Sequence, residues 1–197
     1  MDLVPDRVCG ACTVCCRELT IDDPALRKPA AVPCAHCVPS RGCAVHASRP
    51  ATCREWHCGW RLLPWLDGAL RPDLSGLLVL VEAGDAPGRG ALVFNVVPAE
   101  AAAGARVLAR QGSLDILGAL VREDVPVFLG VKDAAGRHGA RLPLNAALGT
   151  VARGRDGDAV RRAVLRIYKE GLDVVRRMAT GTAVPPGPAA GGGAGNA

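Results

Sequence analysis

An α+β fold is predicted for this chain: a loop-rich, metal-stapled N-terminal cysteine unit packed on a small body of an antiparallel hairpin, an extra strand and helices. A disordered C-terminal tail completes it. Three observations lead there. All nine cysteines lie between Cys9 and Cys58. Two apolar runs, Leu77–Glu82 and Ala91–Val97, flank a stretch of turn chemistry. A long amphipathic pattern extends from Asp158 to Ala179, ahead of a Pro/Gly/Ala-rich end.

The chain has 197 residues, enough for one domain or one domain with an appendage. Residues 1–72 form the first expected unit, 73–180 the body and 181–197 the tail. The first unit is rich in Cys, Pro, Gly and Arg and lacks sustained periodicity. Such a segment buries little apolar surface and needs an external staple, which a metal would supply. Short helical turns are expected near Cys12–Leu19 and Arg49–Trp56. In the body, the two apolar runs pair as a hairpin across residues 83–90. A helix is expected from Pro98, at its first turn, to Arg110. A second starts on a Ser113 cap and ends near Glu123. Val125–Val131 reads as a third strand, with Pro126 placing it at an edge or marking its start.

The last helix carries Val160, Ala163, Val164, Ile167, Tyr168, Leu172 and Val175 on one face. Its other face pairs Arg166 with Glu170, Lys169 with Asp173 and Asp173 with Arg177 at i,i+4 spacing. A solvated, salt-bridged surface is the expected role of that face. Gly181 is expected to end the helix.

The net charge is +5, from 24 basic and 19 acidic residues, and does not point to strong nucleic-acid binding. No charged segment followed by an apolar stretch opens the chain, and the longest apolar run, Leu77 to Val81, is too short to cross a bilayer. A cytoplasmic location is expected, where thiols stay reduced and structural disulfides are rare. Nine cysteines would also leave one unpaired in a disulfide framework. Metal coordination is therefore favoured. The expected partners are metal ions; neither a membrane nor nucleic acid is indicated, and nothing identifies a protein partner.

The cysteines are placed for coordination chemistry. Cys9/Cys12, Cys12/Cys15 and Cys34/Cys37 are each separated by two residues, so a tight turn brings both sulfurs to one metal. Gly10 and Gly42 permit the backbone angles that such knuckles use. Zinc and iron–sulfur clusters both take four ligands of this kind. The candidate ligands are Cys9, Cys12, Cys15, Cys16, Cys34, His36, Cys37, Cys43, Cys53 and Cys58, more than one four-ligand site can use. More than one metal ion is expected, as zinc or as iron, the iron with or without sulfide. A ferredoxin run fails, because Leu19 stands where its fourth cysteine belongs. A two-knuckle zinc ribbon leaves five cysteines unused.

Cys9-x-x-Cys12-x-x-Cys15-Cys16, followed by Cys43, Arg49-Pro50, Cys53-Arg54 and Cys58-Gly59-Trp60, resembles the CxxCxxCC cysteine-cluster family of YkgJ-like zinc- or iron-chelating proteins. The resemblance covers residues 9 to 60. It implies metal binding by the cluster and no particular reaction. The family's usual Tyr is His46 here, either an added ligand or, preferably, a residue filling the same packing slot. His36 is a ligand or a neighbouring hydrogen-bond donor, and His57 a surface or supporting residue. Arg49 and Arg54 either donate to thiolates and offset their charge or lie exposed. Trp56, Trp60 and Trp65 are expected to cover the cluster and join it to the body. His138 is expected at the surface, in a turn.

Three functional classes remain open on these grounds. A metal-binding, chelating module comes first. An iron–sulfur redox or maturation protein and a metal-trafficking protein follow. No nucleotide fingerprint and no Ser/His/Asp set supports catalysis.

Overall fold

The computed structural model describes residues 2–83 and 90–181. Residues 84–89, part of the expected turn, and residues from 182 onward, expected to form a disordered tail, lie outside them. The described chain is mixed α+β. In its N-terminal part α1 (Val14–Glu18) leads into a hairpin of β1 (Ile21–Asp23) and β2 (Leu26–Lys28). A second small hairpin joins β3 (Cys37–Val38) to β4 (Gly42–Cys43). The short helices α2 (Ala51–Glu55), α3 (Gly59–Leu62) and α4 (Pro72–Ser75) follow. Both expected helical turns are present, as α1 and α2.

The body is a four-stranded sheet in the order β5 (Leu77–Glu82), β6 (Ala91–Val96), β7 (Val127–Lys132), β8 (His138–Pro143). β5 and β6 pair antiparallel, with Leu77 opposite Val96 and Glu82 opposite Ala91. β6 and β7 are parallel. A parallel step needs a crossover, and α5 (Ala101–Leu108) and α6 (Gln111–Arg122) supply it. β8 returns antiparallel, with a register shift at Val131/Lys132. α7 (Asn145–Arg153) and α8 (Gly157–Ala179) complete the helical layer.

The structure departs from several sequence expectations and meets others. Pro98 precedes α5 rather than opening it; Glu100 is the residue before the first turn. Ser113 does not cap α6. It lies buried within the first turn, and its hydroxyl donates to the Val107 carbonyl. β7 is an interior strand, so of the two readings of Pro126 the edge fails and the start holds: Pro126 falls just ahead of the strand, where its missing N–H breaks no ladder bond. β8 and α7 had no expectation at all. On α8, Asp173 meets Arg176 rather than Lys169 or Arg177, while Arg166–Glu170 forms at 2.9 Å. Gly181 is left-handed at φ +70°, as a helix-ending glycine should be.

Strand alternation decides what each face of the sheet covers. Leu77 and Val79 of β5 join Phe94, Val96, Leu129 and Val131 in the main core, with Leu117, Leu148, Val164 and Ile167 from the helices. Trp60, Leu63, Leu66 and Leu70 belong to the same core. Residues N-terminal to the expected boundary at 72 therefore help to build the body. Leu78 and Leu80 pack instead with Val14, Val97, Cys12, Leu19, Trp56 and Cys58. The cysteine unit thus rests on the sheet through this second cluster.

Candidate metal centre

α1 is short because its sequence gives it one buried edge only. Val14 and Glu18, one turn apart, are its buried residues. Val14 sits in the cluster beneath the cysteines, and the Glu18 carboxylate pairs with the Lys132 ammonium of β7. Both side chains are almost wholly buried, so the pair fixes α1 and its Cys15-Cys16 step on the sheet. His138 Nε2 of β8 lies 3.8 Å from Glu18, and Lys132 also donates to the Val97 carbonyl. His138 is thus a strand residue against a buried ion pair, not a surface turn. At the same, C-terminal end of α1, the buried Lys28 ammonium donates to the carbonyls of Arg17 and Leu19, where a cation suits the helix dipole.

The glycines among the cysteines do what their positions suggest. Gly10 and Gly42 have φ of +52° and +95°. A Cβ on Gly42 would lie 2.2 Å from the Gly10 carbonyl oxygen. The Cys9–Cys12 turn and the β3–β4 hairpin therefore touch backbone to backbone, and only glycine fits between them. Asp23 ties the β1–β2 hairpin to α2 by accepting from the Thr52 hydroxyl at 3.0 Å. Arg7 donates to the carbonyls of Trp60, Leu63, Pro64 and Leu66 and lies 5.2 Å over the Trp60 ring, closing the N-terminal segment onto α3.

These contacts enclose a cavity of about 260 Å³. Cys9, Cys12, Cys15, Cys16, Cys34, Cys43, Cys53 and Cys58 line it, together with His36. The residues come from separate segments spread over fifty positions of chain, and the fold gathers them in one place. Cys37 is the one cysteine outside the lining; it stands on β3 across from Cys43. His46 and His57, given packing or supporting roles above, line the cavity as well. Trp56 and Trp60 cover it as expected, whereas Trp65 is 49% exposed and does not. Arg49 contributes to the wall, while exposed Arg54 donates instead to the Arg49 carbonyl. Arg61 and Arg71 also line the cavity, and no sequence signal marked them.

The thiols are free, with no disulfide among the described residues. Burial pushes the Cys12 thiol up to about 11 and raises Cys58, Cys43 and Cys53 as well. The neighbouring Cys15 and Cys16 sulfurs shift each other in opposite directions: the pairing, with burial, raises the Cys15 thiol, and it lowers Cys16, with the Lys28 and Arg49 charges assisting. Burial, and next the Arg49 and Arg61 charges, lower His46 and, with Arg61 ahead of Arg49, His57.

The donor set suits a soft metal: eight thiols and three imidazoles, with no carboxylate on the wall. Among the described residues, no group of three or more Cys, His, Asp or Glu side chains stands ready to hold an ion. The fold brings the donors to one cavity without setting them in ligating positions. Deprotonation and inward rotation of several thiols would have to accompany metal entry.

Among the described residues no helix is long and apolar enough to cross a membrane. Compared with family models, curated proteins and solved structures, the chain finds no match.

Proposed function

We propose that the cavity binds zinc or iron through cysteine thiolates, and that the protein is a metal-binding, chelating module rather than an enzyme. One observation carries this: eight of the nine cysteines line a single cavity, although they are scattered from Cys9 to Cys58 in the chain. Buried thiols used only for packing would be distributed through the core, yet the main core contains none of the nine as a buried member. The resemblance to the CxxCxxCC cysteine-cluster family points the same way. Cys9, Cys12, Cys15, Cys16, Cys34, Cys43, Cys53 and Cys58 are the proposed ligands on the wall, with His36 beside them. Cys37 would need to turn inward from β3 to join.

A bound metal would supply a cross-link among loops that have little apolar surface of their own. The remaining residues are arranged to support that task. The Glu18–Lys132 pair anchors α1, the Gly10–Gly42 contact joins two cysteine turns, and Arg49, Arg61 and Lys28 offset thiolate charge. Eight thiolates exceed one tetrahedral site, so more than one ion is proposed.

Anaerobic purification, a visible spectrum and a metal count test the proposal. Tightly held zinc or iron, at more than one ion per chain, is the expected result. Iron with sulfide charge-transfer absorption would shift the reading to an iron–sulfur protein. A protein that holds neither metal when refolded with it would end the proposal.

A further inference from the structure

Three arginines line the cavity wall, and no carboxylate does. Arg71 is satisfied, with two bonds to Asp73 at 2.7 and 2.8 Å. Arg49 and Arg61 have no such partner: neither forms an ion pair with a carboxylate among the described residues, and of the two only Arg49 has a side-chain hydrogen bond, to the His46 ring. The Nε of each is buried without a hydrogen-bond partner there. Both side chains line the cavity, His46 and His57 line it beside them, and no Asp or Glu does. The Arg49 guanidinium contacts the His46 ring, and both histidines lie within electrostatic reach of both arginines.

We infer that Arg49 and Arg61, with His46 and His57 beside them, form a binding site for a small oxyanion, a phosphate or carboxylate group. Burying a guanidinium N–H without an acceptor is costly, and folded proteins rarely leave such a donor unmet. The planar fork of guanidinium matches two oxygens of one oxyanion. Pro50, Val45 and Trp56 add apolar surface to the same wall, and a less polar surrounding strengthens the attraction. No thiol on the wall accepts from either Nε among the described residues, so the sulfurs leave both donors unmet. The site does not depend on what the thiols hold.

Calorimetric titration of the full chain with sodium phosphate and, separately, sodium malonate tests it, at constant ionic strength set by sodium chloride. Saturable binding of at least one anion in the millimolar range or tighter is expected, and the stronger of the two identifies the group recognised. Arg61→Gln and Arg49→Gln should each weaken it about tenfold or more, the loss of a charge-assisted bond. Arg61→Lys, which keeps the charge but loses the fork, should weaken it as well. Arg162→Gln, on the exposed face of α8, should leave it unchanged. Thermal melting of each variant, measured in parallel, shows that the fold is intact. Absence of saturable binding by both anions overturns the inference. So does binding that survives both glutamine substitutions, or binding that zinc loading abolishes, since the arginines would then serve only as counter-charge.

Discussion

Glu18 carries more of the structure than its place beside a cysteine pair suggests. Its carboxylate is 1% exposed and meets Lys132 at 6%, with His138 3.8 Å away. Removing one partner of a buried ion pair leaves the other charge desolvated and unmatched. Glu18→Gln should therefore cost about 3 kcal/mol in urea unfolding, whereas Arg166→Gln, from an exposed pair, should cost no more than about 0.5 kcal/mol. Equal costs would mean that the Glu18 pair is not the anchor described. His138 adds a pH dependence. Burial first, and the Lys132 charge next, lower its affinity for a proton below the ordinary value of 6.5. The folded state then refuses a proton that the unfolded chain accepts, so stability present above pH 6.5 declines as the pH falls below it. The urea midpoint should drop between pH 7 and pH 5, and drop less in His138→Gln. An identical drop in both proteins would assign the effect to other groups.

At the scale of elements, the cysteine turns depend on glycine at one contact above all. Gly42 combines a φ of +95° with a Cβ direction that ends 2.2 Å from a backbone oxygen. The obstacle is backbone, so it cannot rotate aside as a side chain would. Gly42→Ala should cost more than about 1 kcal/mol and should speed protease cleavage within residues 1–58. Cleavage at the wild-type rate would show that the two turns separate freely. The α8 helix illustrates the opposite case. Its apolar stripe was read correctly from sequence because spacing alone defines it, and Val160, Ala163, Val164, Ile167, Tyr168 and Val175 are all buried. Charge pairing on its outer face was not, because exposed side chains choose among several partners at nearly equal free energy. Hence Asp173 finds Arg176, three residues on, rather than either i,i+4 neighbour.

For the whole molecule, the two expected units share more than an interface. Trp60, Leu63, Leu66 and Leu70 are members of the sheet's own core, at roughly 1.5–3 kcal/mol of burial each. Loops before Trp60 touch the sheet through a much smaller cluster around Val14, Leu78 and Val97. The expected seam in stability therefore lies near residue 58 rather than 72. Under the proposed metal binding, a strong chelator should raise amide hydrogen exchange over residues 9–58 while β6 and β7 stay protected. Exchange that rises equally in the sheet would show one cooperative unit; exchange that does not rise anywhere would argue against a metal staple.

The two hairpin strands, the amphipathic last helix and the dense cysteine region were legible in sequence because each rests on local spacing. β8 escaped notice because His138–Pro143 has no alternating pattern: its residues are half-buried or exposed, as suits an edge strand. Ser113 was mistaken for a cap because its hydroxyl has a partner six residues back that only the folded loop supplies. The sequence by itself determined that the chain would be α+β with its thiols confined to residues 9–58, since composition and periodicity are properties of the chain. Only the tertiary structure decided that eight of those thiols line one cavity while Cys37 stands outside it. Only the fold, too, placed Arg61 and Arg71 on the wall and set Lys132 and His138 against Glu18. Those placements depend on loop paths and strand order, which bring residues more than a hundred positions apart into contact and leave no trace in local spacing.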